Sequence, residues 1–126
     1  MSVSRITFMS ATGAAVAFAA VPAGAAQDAG TIVALYKRPA DPAAFDSYYA
    51  TKHAPLAKTL PGLTSYTISK QLGPSDPYYL VAILTFPSVD AMKAALSSSQ
   101  GTAVVADLKN FAQAGVDILT FDAVPV

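Results

Sequence analysis

Two hydrophobic periods alternate along the chain and predict an α+β domain with the element order β-α-β-β-α-β. Three observations carry this reading. Runs rich in Val, Ile, Leu and aromatic residues recur at residues 31–36, 63–71, 78–86 and 116–121. Stretches with apolar residues every three or four positions separate the first run from the second and the third from the fourth. Pro, Gly, Ser and Asp punctuate the boundaries. With 126 residues there is room for one domain, and 53% apolar against 13% charged residues favours a packed core over disorder.

The N-terminal segment stands apart from that domain. Arg5 is the only charge before Asp28, an apolar and small-residue run follows from Ile6 to Val21, and Pro22 leads into Ala23-Gly24-Ala25-Ala26. A positive start, a short apolar stretch and small residues at the end describe a secretory signal peptide over residues 1–26. The alternative is an uncleaved anchor, but the run is shorter than the roughly 20 apolar residues of a spanning helix and is diluted by Ser, Thr and Gly. Cleavage after Ala25 or Ala26 would leave a mature chain of about 100 residues, taken as 27–126, as a periplasmic or secreted domain with no membrane attachment.

Within residues 27–126, Thr31 to Tyr36 reads as the first strand, ended by Lys37-Arg38-Pro39. Asp41-Pro42 starts a helix, with Asp as cap and Pro at the first helical position. Phe45, Tyr49, His53, Leu56 and Leu60 fall on one helical face, Tyr48 and Lys52 form a neighbouring stripe, and Pro55 should interrupt the helix near His53 and Ala54. Pro61-Gly62 ends it. Leu63 to Gln71 alternates, with Tyr66 and Ile68 on one side and Ser65, Thr67 and Ser69 on the other, as in a half-buried strand. Gly73 to Pro77 forms a turn, and Tyr78 to Phe86 is the most apolar and hence central strand. Ser88 caps a second helix with Val89, Met92, Ala95 and Leu96 inward. Ser97 to Thr102 breaks it, and a further piece turns Val104, Val105, Leu108 and Phe111 inward. Val116 to Phe121 closes the pattern, with Ile118, Thr120 and Asp122 alternating against Leu119 and Phe121.

This order is the ferredoxin-like, split βαβ arrangement, a four-stranded antiparallel sheet with two helices on one face. The strands are apolar on both sides, so the uncovered face calls for a partner, and a homodimer through the open sheet face is expected.

Several function classes are excluded by residue content. Without cysteines there are no disulfides, thiolate metal sites or Cys nucleophile. Eight basic and eight acidic side chains balance to zero with no basic run, so no nucleic-acid partner is expected. All acidic residues are Asp, for which there is no physical account. One histidine and scattered Asp residues give no metal-ligand spacing. No phosphate loop, nucleophile elbow or dinucleotide fingerprint occurs, and no cofactor is expected.

Leu35-Tyr-Lys-Arg-Pro39, then Phe45-Asp-Ser-Tyr-Tyr49, His53-Ala-Pro-Leu-Ala57, Pro61-Gly-Leu63 and Tyr66 together resemble the EthD family. The resemblance spans roughly Thr31 to Ala123 and is densest in its first third. It implies a dimeric α+β barrel, two sheets around a shared interior. The wider superfamily includes cofactor-free isomerases, cyclases, dehydratases and quinone-forming monooxygenases, so the resemblance implies a fold and a pocket more than a reaction. A signal peptide is not part of the usual family pattern. One His could serve as an axial haem ligand, but the EthD-like spacing argues against that role.

His53 is the single side chain whose ordinary pKa lies near neutrality, which makes it the candidate general acid or base. Tyr49 precedes it by one turn, and Tyr36 and Tyr66 are candidate pocket walls. Tyrosine hydroxyls, one histidine and aliphatic groups suit a small hydrophobic molecule carrying a few oxygen atoms. Two roles stay open for His53. It acts on or contacts such a ligand, or its ring bonds a backbone carbonyl freed by the Pro55 interruption. Packing is the competing role for the three tyrosines. The functional expectation is a protein that binds, and transforms without cofactor, such a molecule, or else a non-catalytic accessory protein of a degradation pathway.

Overall fold

The computed structural model describes residues 29–69, 73 and 75–126. Ala29–Ala123 form one compact unit; the other unit, Met1–Asp28 with Val124–Val126, contributes only its last three residues to the described part. The leader predicted over residues 1–26 lies outside the described residues. No helix among the described residues is long and apolar enough to cross a membrane.

Four strands build one antiparallel sheet: β1 (Ala29–Lys37), β2 (Ser65–Ile68), β3 (Tyr78–Phe86) and β4 (Val116–Ala123), in the spatial order β2-β3-β1-β4. After β1 come α1 (Pro42–Tyr48), a π turn (Tyr49–His53) and α2 (Ala54–Ala57). After β3 come α3 (Val89–Ser97), α4 (Ser99–Asp107) and a single 3-10 turn (Leu108–Asn110). This is the ferredoxin-like α+β arrangement that the alternating periods predict.

Register assigns the two faces of the sheet. Ile32 lies opposite Leu84, Ala34 opposite Ala82 and Tyr36 opposite Leu80, and all six are buried on the helix-covered face. The intervening Val33, Leu35, Val81 and Ile83 point to the other face, where Leu119 and Phe121 of β4 join them. Gly30 marks where β1 and α3 approach most closely. A Cβ there would overlap the Ser88 carbonyl and the Met92 side chain.

Asp41 caps α1 through its side chain, which accepts from the Ala44 N–H at 3.1 Å. The interruption expected at Pro55 takes the form of the π turn: the Ala54 N–H bonds the carbonyl of Tyr49, five residues back. The wider turn also corrects the predicted inner face. Ala57 is buried, whereas Leu56 is only half-buried. Residues four apart drift by about 40° per step on a 3.6-residue turn. The extra residue of the π turn cancels that drift and keeps Phe45, Tyr49, His53 and Ala57 in one line.

Other boundaries also shift. The break expected over Ser97 to Thr102 shrinks to Ser98, which ends α3 and caps α4 by accepting from the Gly101 N–H at 3.1 Å. Val105, expected inward, is 55% exposed. Of the second strand predicted over 63–71, Ser65–Ile68 are paired in the ladder and residues 70 and 71 lie outside the described residues. Arg38 donates to the carbonyls of Gly73 (2.6 Å) and Asp76 (2.8 Å) and so ties the β2–β3 turn to the end of β1.

Candidate functional site

Between the sheet and the helices lies a cavity of about 360 Å³. Ile32, Ala34, Ala82 and Leu84 form its floor, and the two neighbouring alanines leave the space that larger side chains would fill. Tyr66 of β2 closes one side. Tyr49, His53 and Ala57 descend from the first helical layer, and Leu96, Val104 and Leu108 from the second. Val105 and Ile118 are the exposed members of the lining, so the mouth opens between α4 and β4. No charged side chain lines the cavity among the described residues. All four residues singled out from sequence, Tyr36, Tyr49, His53 and Tyr66, stand on its wall.

His53 is 3% exposed and wedged beside Phe111, with ring centroids 4.6 Å apart. Its ring bonds go to side chains, not to the backbone carbonyl suggested by the helix interruption. Nδ1 lies 2.9 Å from Asp107 Oδ2, and Nε2 lies 3.4 Å from the Tyr36 hydroxyl. The other oxygen of Asp107 accepts from the Tyr48 hydroxyl at 2.7 Å and from the Asn110 amide at 3.0 Å. Burial opposes ionisation of Asp107, but hydrogen bonds from Tyr48, Asn110 and His53 outweigh it and hold the carboxyl below its usual range. An ionised carboxylate only accepts. Nδ1 therefore carries the proton, and Nε2 is the ring's acceptor on the cavity side, where the Tyr36 hydroxyl donates to it.

Burial lowers the His53 pKa, and the attraction of Asp107 offsets this only in part, so the imidazole is neutral near pH 7. The three cavity tyrosines are pushed the other way. Burial raises Tyr36, Tyr49 and Tyr66, all of which stay protonated as hydrogen-bond donors. Tyr49 and Tyr66 bond to one another through their hydroxyls. Tyr49 is buried and Tyr66 half-buried, so donation from Tyr49 to Tyr66 leaves the Tyr66 proton free for a ligand oxygen. Together these groups supply one unprotonated base and neutral donors in an apolar chamber.

The EthD domain model matches residues 37–115, more than half of the chain. The chain belongs to the EthD family. An uncharacterised 11.0 kDa protein from the thcB–thcC intergenic region of Rhodococcus erythropolis is 37% identical over 94 residues, spanning 72% of this EthD protein and 91% of that one. The crystal structure of an EthD family protein from Bacillus halodurans superposes with a TM-score of 0.70 at 26% identity, covering 74% of this chain and 96% of that one. A variant of SnoaB, a cofactor-independent oxygenase from Streptomyces nogalater, gives a TM-score of 0.58 at 20% identity, covering 80% and 97%. At that identity the likeness is one of fold.

Asp107, Tyr48 and Asn110 are the part of the EthD site that sequence reasoning missed. One signal was present. Asp107 closes the last turn of α4, where the helix dipole disfavours a carboxylate, so a partner elsewhere was called for.

Proposed function

We propose that this EthD protein binds a small, uncharged, oxygenated hydrophobic molecule in the cavity and moves a proton on it with His53 Nε2, without a cofactor. The observation that carries this reading is the neutral Nε2 facing a chamber whose other polar side chains are tyrosines. With a ketone bound, Nε2 takes a proton from the carbon next to the carbonyl while the Tyr66 hydroxyl donates to the carbonyl oxygen. The resulting enolate, held by that hydrogen bond, is reprotonated from the imidazolium. Tyr36 and Tyr49 shape the wall and fix the donors. The cofactor-independent oxygenase among the fold neighbours supports chemistry of this kind on this scaffold.

Proton exchange in heavy water tests the proposal. Wild-type protein is incubated in D₂O with neutral bicyclic ketones such as 1-indanone or 2-tetralone, with nothing else added, and deuterium at the α carbon is followed by NMR. Protein-dependent exchange is expected, reduced about 10²- to 10⁴-fold in His53→Gln, the usual contribution of a positioned base. Exchange that ignores the substitution overturns the assignment. Ketone that binds but returns unexchanged supports instead a non-catalytic binding or accessory protein in which the buried His53–Asp107 pair is structural.

Two further proposals complete the picture. Export follows from the leader predicted over residues 1–26. A homodimer follows from the open sheet face, where Ile83, Leu119 and Phe121 are exposed beside Val33, Leu35 and Val81.

A further inference from the structure

On the side of Asp107 away from the cavity, the surface carries a second hollow of about 450 Å³, lined in part by Tyr48, Asn110 and Phe111. Asp107 thus sits between the two hollows, one oxygen turned to each set of partners. Oδ2 faces His53 Nδ1, and Oδ1 holds Tyr48 and Asn110. Tyr48 is itself fixed by stacking on Phe111, with centroids 5.3 Å apart and planes 17° from parallel. We propose that Tyr48 and Asn110 are positioning residues for His53: by donating to one oxygen of Asp107, they keep its carboxyl an acceptor with the other oxygen on Nδ1, and so hold the proton of the single histidine on that nitrogen. They touch neither the cavity nor any molecule in it, since neither lines its wall. The catalytic weight of the array rests on the reading of Nε2 as the base. Its geometry does not.

The charged and titratable groups around the imidazole are few. Asp107 comes from α4, Tyr36 from β1 and Tyr49 from the same π turn, and Tyr66 of β2 shares the cavity wall. The tyrosines remain neutral, which leaves Asp107 as the one charge that bears on the tautomer.

A single histidine makes the test direct, because long-range ¹H–¹⁵N spectra of the labelled protein contain one imidazole. Wild type is expected to show Nδ1 protonated and Nε2 bare. In Asp107→Asn, Tyr48 and Asn110 both donate at the Oδ1 position and so keep the amide oxygen there. The amide NH₂ then faces Nδ1, which must accept, and the proton moves to Nε2. Adding Tyr48→Phe and Asn110→Ala frees the amide to turn its oxygen toward Nδ1–H, and the wild-type tautomer is expected to return. An Asp107→Asn spectrum with Nδ1 still protonated overturns the proposal, as does an inverted tautomer that persists in the triple variant. Should Asp107→Asn fail to fold, Tyr48→Phe alone, which keeps the stacked ring, decides. Loss of one donor concentrates charge on the carboxylate and is expected to raise the His53 titration midpoint, whereas an unchanged midpoint overturns the proposal. None of these spectra needs a substrate. Failure of ketone exchange in wild type with the tautomer switch intact would therefore count against the proposed reaction and not against the positioning array.

Discussion

His53 combines near-complete burial with an ionisable ring, and its surroundings fix the sign of a pH effect. Burial, first, and incomplete compensation by Asp107 place its folded-state pKa below the ordinary 6.5. The unfolded chain then takes up a proton at a pH where the folded protein does not. Stability is full above 6.5 and falls as pH drops from there toward the lower folded value. The thermal midpoint, followed by circular dichroism, is expected to decline as pH falls below 6.5, with a flatter decline in His53→Gln. Equal slopes for the two proteins would contradict a depressed histidine. Asp107 acts in the same direction at lower pH, because its carboxyl also lies below its ordinary 3.8 in the fold. The histidine, its helix face and Tyr49 were legible in the sequence because spacing along one element places them together, and Tyr36 and Tyr66 were reached only as residues of the first and second strands. Asp107 was not, since it meets His53 from 54 residues away and no local period records that meeting.

Among the elements, those governed by local rules matched their sequence signals most closely. Asp41-Pro42 starts α1 and Ser88 caps α3, each through a side chain that accepts from an N–H three residues on. The π turn was foreseen as an interruption but not in its form. Pro55 announces the loss of a backbone donor, while the packing of Tyr49 and His53 against the sheet selects a widened turn over a kink. The hinge between α3 and α4 is similarly compact. Ser98 caps α4, and Gly101 allows its first turn to lie against the last carbonyls of α3, where a Cβ would collide with those of Ala95 and Leu96. Ser98→Ala is expected to cost about 0.5–2 kcal/mol in urea denaturation, the usual value of a lost N-cap. A change within error would mean that packing alone holds the hinge. The alternation that marks β2 is met by a ladder over Ser65–Ile68, with the N–H groups of Thr64 and Ser69 bonding the β3 carbonyls of Thr85 and Val81 on either side.

Seen as a whole, the molecule covers one face of its sheet with helices and leaves the other apolar. The four-stranded order was readable from the count and sequence of periods, and the uncovered face followed from having two helical layers on one side. What the chain does with that face is a matter of assembly. If the proposed export and dimer hold, native mass spectrometry of protein recovered outside the cytoplasm is expected to give twice the mass of residues 27–126, and Leu119→Asp, which places a charge on a residue 50% exposed in one chain, is expected to give a folded monomer. A wild-type monomer would overturn the dimer, and a retained leader would overturn export. The strand that carries Leu119 and Phe121 outward also carries Ile118 to the lip of the cavity, and among the described residues it pairs with β1. β4 is thus a doorpost, with one face at the entrance and the other on the uncovered side of the sheet. In the proposed homodimer, whatever settles on that outer side would stiffen the doorway, and admission to the chamber would become a property of two chains.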